Sequence, residues 1–269
     1  MNTSAKLRKL DEIFQGLGKV VVAFSGGVDS TFLAAAAKRA LGDNVLAVTA
    51  VSATLTGEER AEAVTLAEKI GMQHILIETD EFADARFTAN SAERCYFCKK
   101  IRFEALVKWA AERGYLWIVE GSNVDDDNDY RPGSRAVAEL SAVRSPLKEA
   151  GLTKAEIRAG SKQWNLPTWE KPSAACLASR IEYGLPLTPE RLKQVEEAEK
   201  FIRPFCRGQL RVRHHGSLAR IEVEPEWIAK LAEPETARSI AGKLKTLGFH
   251  HVALDLSGYR MGSLNEDLK

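Results

Sequence analysis

The chain of 269 residues is 45% apolar and 28% charged with a net charge of +1, long enough for one large or two modest domains around a sizeable core. Nothing in that balance argues for bulk electrostatic binding to nucleic acid or to an acidic membrane surface. No apolar run reaches bilayer-spanning length, and the opening MNTSAKLRKLDEIFQGLG lacks the apolar core of a signal peptide, so the expected setting is the cytoplasm, with neither membrane nor nucleic acid as partner.

In chain order, residues 6–17 read as a helix and KVVVAF (19–24) as a strand buried on both faces. The loop SGGVDS follows, then the alanine-rich helix TFLAAAAKRAL, the strand NVLAVTAVS, the helix EERAEAVTLAEKIG and the strand QHILIETD. Asn90, with Glu93 three residues on, has the spacing of a helix cap for a helix running to Gly114. LWIVEGSN is a fourth strand and KAEIRAGSKQWN a helix stopping before Pro167. Alternating strands and helices of this length predict right-handed crossovers and an α/β doubly wound parallel sheet. Past Tyr183 the pattern becomes that of a small C-terminal α+β domain: a helix over 189–202, a hairpin QLRVRHH/LARIEVE, two helical stretches and the strand HHVALDL. The predicted division is a domain over 1–166, a connection over 167–186 and a domain over 187–269.

Between the first strand and helix, SGGVDS places several backbone N–H groups and a helix N-terminus around one small anion site. Gly26 and Gly27 remove side chains from the approach, Ser25 and Ser30 add hydroxyl donors, and Asp29 can cap the helix or hold Mg2+. The spacing and the missing lysine exclude a Walker A loop; a plain helix-capping turn is the competing explanation. SGGVDS after a buried strand resembles the PP-loop of the ATP pyrophosphatases, which implies that it holds the pyrophosphate cleaved from ATP. Asp125, Asp126, Asp127 and Asp129 crowd the end of the fourth strand, where Mg2+ would reconcile them with a triphosphate, though charge runs are usually solvated surface.

Cys95 and Cys98 are spaced i, i+3, so on a helix their thiols share a face. With Cys176, in the connection, they make a three-thiolate set that suits a [4Fe–4S] cluster with one open iron, whereas zinc would want a fourth ligand. The plainer alternative is that the pair are small helix residues. Cys206 has no partner by spacing. Arg211, Arg213 and His215 alternate onto one strand face, a fork for phosphate or carboxylate or else an exposed or subunit-contact surface.

SGGVDST, DDNDYRPG, KPSAACLASRIEYG, RVRHHGSLARIE and LDLSGYRMGSLN together span nearly the whole chain and resemble the LarE family of ATP-dependent sulfur transferases, which serve nickel-pincer cofactor synthesis. The resemblance implies an enzyme that adenylates a carboxylate of a pyridinium-3,5-dicarboxylate mononucleotide and converts it to a thiocarboxylate. It implies ATP contacts at Ala23, Ser25, Gly26, Gly27, Asp29, Ser30 and Gly121, a reaction site with Cys176, Cys95, Cys98, Lys99 and Arg180, and substrate contacts at Ser179, Arg211 and Arg213. The implied cofactors are ATP, Mg2+ and a [4Fe–4S] cluster on Cys95, Cys98 and Cys176, recharged by sulfide or another sulfur donor. The family's other design sacrifices the thiol matching Cys176. A homohexamer is implied as well. Lys230 stands where an acidic residue would be expected for a metal site in the small domain. The rival functions are a PP-loop tRNA thiolase, which should be more basic, and a non-catalytic adenine-nucleotide sensor, which leaves the cysteines without a task.

Overall fold

The computed structural model describes residues 2–128, 132–172 and 175–264, without the side chains of Asp127 and Asn128. Two compact units form: Met1–Ser52, Gly57–Glu81 and Cys95–Ala174 make the first, and Ala53–Thr56, Phe82–Arg94 and Ala175–Lys269 the second. Among the described residues no helix is long and apolar enough to cross a membrane.

The first unit is the expected doubly wound sheet. Its strands are β1 (Val20–Ala23), β2 (Val45–Val51), β3 (His74–Glu78), β4 (Trp117–Val119) and β5 (Val143–Arg144), in the order β3-β2-β1-β4-β5, and every pairing is parallel. The continuous apolar run of β1 follows from its central place: Val20, Val21 and Val22 have no exposed surface. Helix α1 (Thr3–Leu17) packs on α2 (Val28–Leu41), whose alanines at 34–37 let it lie close on the sheet. Helix α3 is Gly57–Lys69, α4 a single turn at Ala85–Thr88, α5 Arg94–Ala111, α6 Pro132–Ala138, α7 Pro146–Glu149 and α8 Lys154–Gln163. The α8 N-terminus has a capping box between Thr153 and Glu156. Strand β5 was not anticipated; two residues are too few to show a period.

The second unit holds α9 (Pro189–Ile202), the antiparallel hairpin β6 (Leu210–His215) and β7 (Leu218–Val223), α10 (Ile228–Ala232), α11 (Pro234–Thr246) and β8 (His251–Leu254), which pairs parallel to β7. Gly216 turns the hairpin with φ +68°. The core gathers Ile202, Val212, Ile221, Leu244 and Phe249. Cys206 is buried in it, and that burial pushes its thiol up, which leaves it a packing residue.

Candidate functional site

The chain order makes a switch point. From β1 the chain winds outward through β2 and β3, then returns to β4 on the other side of β1, and ligands of such sheets bind at the carboxyl ends where the order reverses. There the SGGVDS loop is knitted by its own hydroxyls. Ser25 Oγ and Ser30 Oγ are 3.0 Å apart, Ser30 Oγ donates to the Gly27 carbonyl at 3.2 Å, and the Gly27 N–H donates to Ser25 Oγ at 3.4 Å. Gly26 takes φ +67°, a conformation that favours glycine. The first N–H groups of α2 have no carbonyl within their own helix to bind, so loop and helix together present donors to an anion. Ala23 ends β1 beneath them.

Gly121 closes the cradle from the β4 side: a Cβ there would stand 3.1 Å from the Ser30 nitrogen and 3.2 Å from the Asp29 Cβ. Two lysines that the sequence had not singled out also reach it. Lys154 Nζ lies 2.5 Å from Asp29 Oδ2, and Lys171 Nζ donates to the Gly26 carbonyl at 3.0 Å. Neither carries a local motif; α8 and the segment after it bring them in.

Lys99, one turn past Cys95 on α5, lies 3.2 Å from Glu120 Oε2. Glu120 follows β4, is almost fully buried, and accepts the Ser145 hydroxyl at 2.5 Å and the Ser122 N–H at 3.1 Å through its other oxygen. Burial alone would raise this carboxyl, but the Lys99 ammonium and the hydroxyl and amide donors outweigh it and hold it below the ordinary value. Helix α6 comes close here: a Cβ on Gly133 would stand 3.1 Å from Lys99 Cδ and 3.4 Å from the Cys95 carbonyl.

The acidic loop has local duties. Asp125 accepts the Lys154 N–H at 2.7 Å, capping α8, and Asp126 accepts the Asn123 N–H at 2.9 Å. These two carboxylates support the turn, as the solvated-loop alternative allowed. The Asp127 side chain and Asp129 lie outside the described residues.

Cys95 is exposed and Cys98 half-buried on the first turns of α5. The helix is not capped by Asn90 as expected. Asn90 has φ +54°, donates to the carbonyls of Glu182 at 2.7 Å and Leu185 at 2.9 Å, and accepts from Arg94 at 2.6 Å. It braces the second unit instead, because carbonyls distant in sequence satisfy its amide.

In the second unit Cys176 is exposed at the head of a 3₁₀ turn, Leu177–Arg180. Its carbonyl accepts Ser179 Oγ at 2.7 Å and Arg180 Nη1 at 2.9 Å. Arg180 also binds the Ala175 carbonyl, and both oxygens of Glu199 hold its other edge. The Arg211 and Arg213 side of β6 is buried rather than exposed, at 7% and 5%. Arg213 forks onto Glu222 Oε2 at 3.0 and 2.8 Å and donates to Ser263 Oγ at 3.0 Å. Ser263 in turn donates to Glu222 Oε1 at 2.8 Å. Arg211 donates to the Leu210 carbonyl and lies over the Tyr259 ring.

Residues 8–125 match the NAD synthase family model. Across 98% of both chains the protein is 42% identical to an uncharacterized protein of Synechocystis. It is 37% identical, over 98% of its own length and 95% of the relative's, to the pyridinium-3,5-bisthiocarboxylic acid mononucleotide synthase of Lactiplantibacillus plantarum. The chain belongs to the LarE family of PP-loop proteins. A tRNA-specific 2-thiouridylase of Rickettsia rickettsii is more distant, 27% identical over 58% of this chain and 52% of its own.

A [4Fe–4S] cluster with one open iron needs three thiolates. Cys95 and Cys98 stand three residues apart on one helix, but among the described residues no three His, Cys, Asp or Glu side chains are gathered as a metal site. The arrangement does not by itself make a cluster centre. For Mg2+, which binds through one or two carboxylates together with substrate phosphates and water, Asp29 is a suitable acid at the loop.

Proposed function

We propose that this protein is an ATP-dependent sulfur transferase that converts a carboxylate of a pyridinium-3,5-dicarboxylate mononucleotide to a thiocarboxylate. The observation that carries the reading is the full-length likeness to the Lactiplantibacillus synthase, and the donor-lined glycine loop at the switch point supports it. A substrate carboxylate oxygen attacks the α-phosphorus of ATP, the bond to the bridging oxygen breaks, and pyrophosphate leaves onto the N–H groups and hydroxyls of residues 25–30. Mg2+ held by Asp29 would neutralise phosphate charge there. The acyl-adenylate is activated because AMP is a far better leaving group than oxide; a sulfur nucleophile adds to its carbonyl carbon and AMP departs.

For the sulfur source we propose a [4Fe–4S] cluster on Cys95, Cys98 and Cys176, a reading supported by the paired thiols on α5. One observation favours the alternative of direct sacrifice: Cys176 is exposed, with its carbonyl fixed by Arg180 and Ser179, as a reacting thiol should be. Lys99 and Arg180 are proposed at the reaction site, Ser179, Arg211 and Arg213 as substrate contacts, and the enzyme as a cytoplasmic homohexamer. The net charge of +1 supports a small-molecule substrate over tRNA.

The test is pyrophosphate release and a mass increase corresponding to oxygen-to-sulfur exchange in the pyridinium substrate, with iron and acid-labile sulfide measured on anaerobically purified protein. No pyrophosphate with that substrate overturns the function. Product formed without iron, with Cys176 lighter by the mass of one hydrogen sulfide, selects the sacrificial route.

A further inference from the structure

The glycine loop has no lysine between Ser25 and Ser30, and the two ammonium groups that reach it are differently employed. Lys154 pairs with a carboxylate of α2, Asp29, the group proposed above to hold Mg2+. Lys171 donates instead to a neutral carbonyl, that of Gly26 at 3.0 Å. That oxygen is the negative end of a dipole inside an anion-binding loop, and the ammonium neutralises it. The counter-ion of Lys171 is Glu62 on α3, at 2.7 Å, with the glutamate side chain 45% exposed and the lysine 24%. An ion pair this open to water stabilises little, so the glutamate is readily replaced.

The lysine is also held in place from behind. Arg158 donates to the carbonyls of Trp169 at 2.6 Å and Lys171 at 2.9 Å, and the Lys171 N–H donates to the Thr168 carbonyl at 2.9 Å. A positioned ammonium has three donors and serves phosphate as a point charge.

We infer that Lys171 is the cation that receives the leaving pyrophosphate, keeping its hold on Gly26 while phosphate oxygens displace Glu62. This rests on the ATP reading above and assigns the role that a lysine within the loop plays in a Walker A site.

The experiment is calorimetric binding of inorganic pyrophosphate and of ATP to the full chain as wild type, K171M, K171R and E62Q, with circular dichroism to check folding. K171M should weaken pyrophosphate binding by about tenfold or more, the loss expected for one charge-assisted contact. K171R should retain most of the affinity, and E62Q should bind as tightly as wild type or more tightly, since the competitor for the lysine is gone. Opposite responses from the two halves of one ion pair are not what a purely structural bridge gives. Unchanged binding in K171M, or equal losses in K171M and E62Q, overturns the inference. Should K171M fail to fold, E62Q decides: weaker binding than wild type overturns it. A wild-type chain that binds neither ATP nor pyrophosphate sinks the ATP reading itself.

Discussion

Glu199 holds Arg180 through both of its carboxylate oxygens, at 3.0 and 3.2 Å, and Arg180 in turn grips the Cys176 carbonyl at 2.9 Å. Glu199 also accepts the Val212 N–H at 3.0 Å, so one carboxylate ties α9 and β6 to the turn that presents the thiol. Replacing Glu199 with Gln leaves a mostly buried guanidinium without its charge partner, a loss expected to cost about 3 kcal/mol. Denaturant unfolding checks the stability. Pyrophosphate release should persist while thiocarboxylate formation falls; equal losses in both steps would argue against a specific effect on Cys176.

Two glycines separate a binding effect from a packing effect. In Gly121→Ala the new methyl meets the Ser30 nitrogen and forces β4 away from the loop, so ATP affinity should fall about tenfold. In Gly160→Ala the methyl meets Phe32 at 2.7 Å, where Phe32 stacks on Trp164. That overpacking should cost about 1–3 kcal/mol, after an offset from the better helix propensity of Ala, and leave ATP affinity intact. Thermal unfolding and nucleotide titration of both variants test the contrast.

His214 and Glu156 contribute to acid sensitivity in different windows. His214 is buried against Phe249 and hydrogen-bonded to Gln194; burial, with Arg191 nearby, lowers its pKa to about 4 from 6.5. The unfolded chain therefore binds the proton first, and His214 removes stability as pH falls from 6.5 toward 4. For Glu156, desolvation opposes ionisation, but Lys6, the Thr153 amide, and the Thr3 and Thr153 hydroxyls bring the carboxyl to about 2 from 4.5. Its contribution is complete above 4.5 and lost as pH falls toward 2. Unfolding free energies measured against pH should show a flatter upper limb in His214→Gln and a flatter lower limb in Glu156→Gln.

The two arginines of β6 should respond differently to truncation. Arg213→Ala removes one of the two guanidinium partners of the fully buried Glu222 and leaves it to Arg220, so it should destabilise by about 2–3 kcal/mol, less than the cost of a wholly unpaired buried charge. Arg211 stands over an aromatic ring, so Arg211→Ala should lose less stability and act mainly on binding of the substrate phosphate. Denaturation midpoints and substrate titration distinguish them; equal destabilisation would contradict the difference in pairing.

The parallel sheet and the hairpin were legible because their signals are local. Val20–Ala23 is an uninterrupted apolar run, and Thr188 and Pro189 mark the start of α9 at the residue expected. The glycine loop was legible for the same reason. Lys154, Lys171 and Glu120 were not, since each acquires its place from contacts between distant segments: Lys154 meets an aspartate 125 residues earlier. Asn90 shows the opposite error. Its spacing from Glu93 suits a cap, but the carbonyls of residues 182 and 185 win its amide, and nothing near it in sequence announces them. Residues 53–56 and 82–94 join the second unit through contacts of the same long-range kind.

The segment after β8 reaches back into the core of the second unit. It returns along β7, with the Tyr259 N–H on the Val223 carbonyl at 2.7 Å, and delivers Ser263 to the buried Arg213–Glu222 pair. A chain growing on the ribosome makes the whole hairpin before that hydroxyl exists. A chain released after Leu254 would contain every described strand of the second unit but lack the hydroxyl that bridges this buried pair.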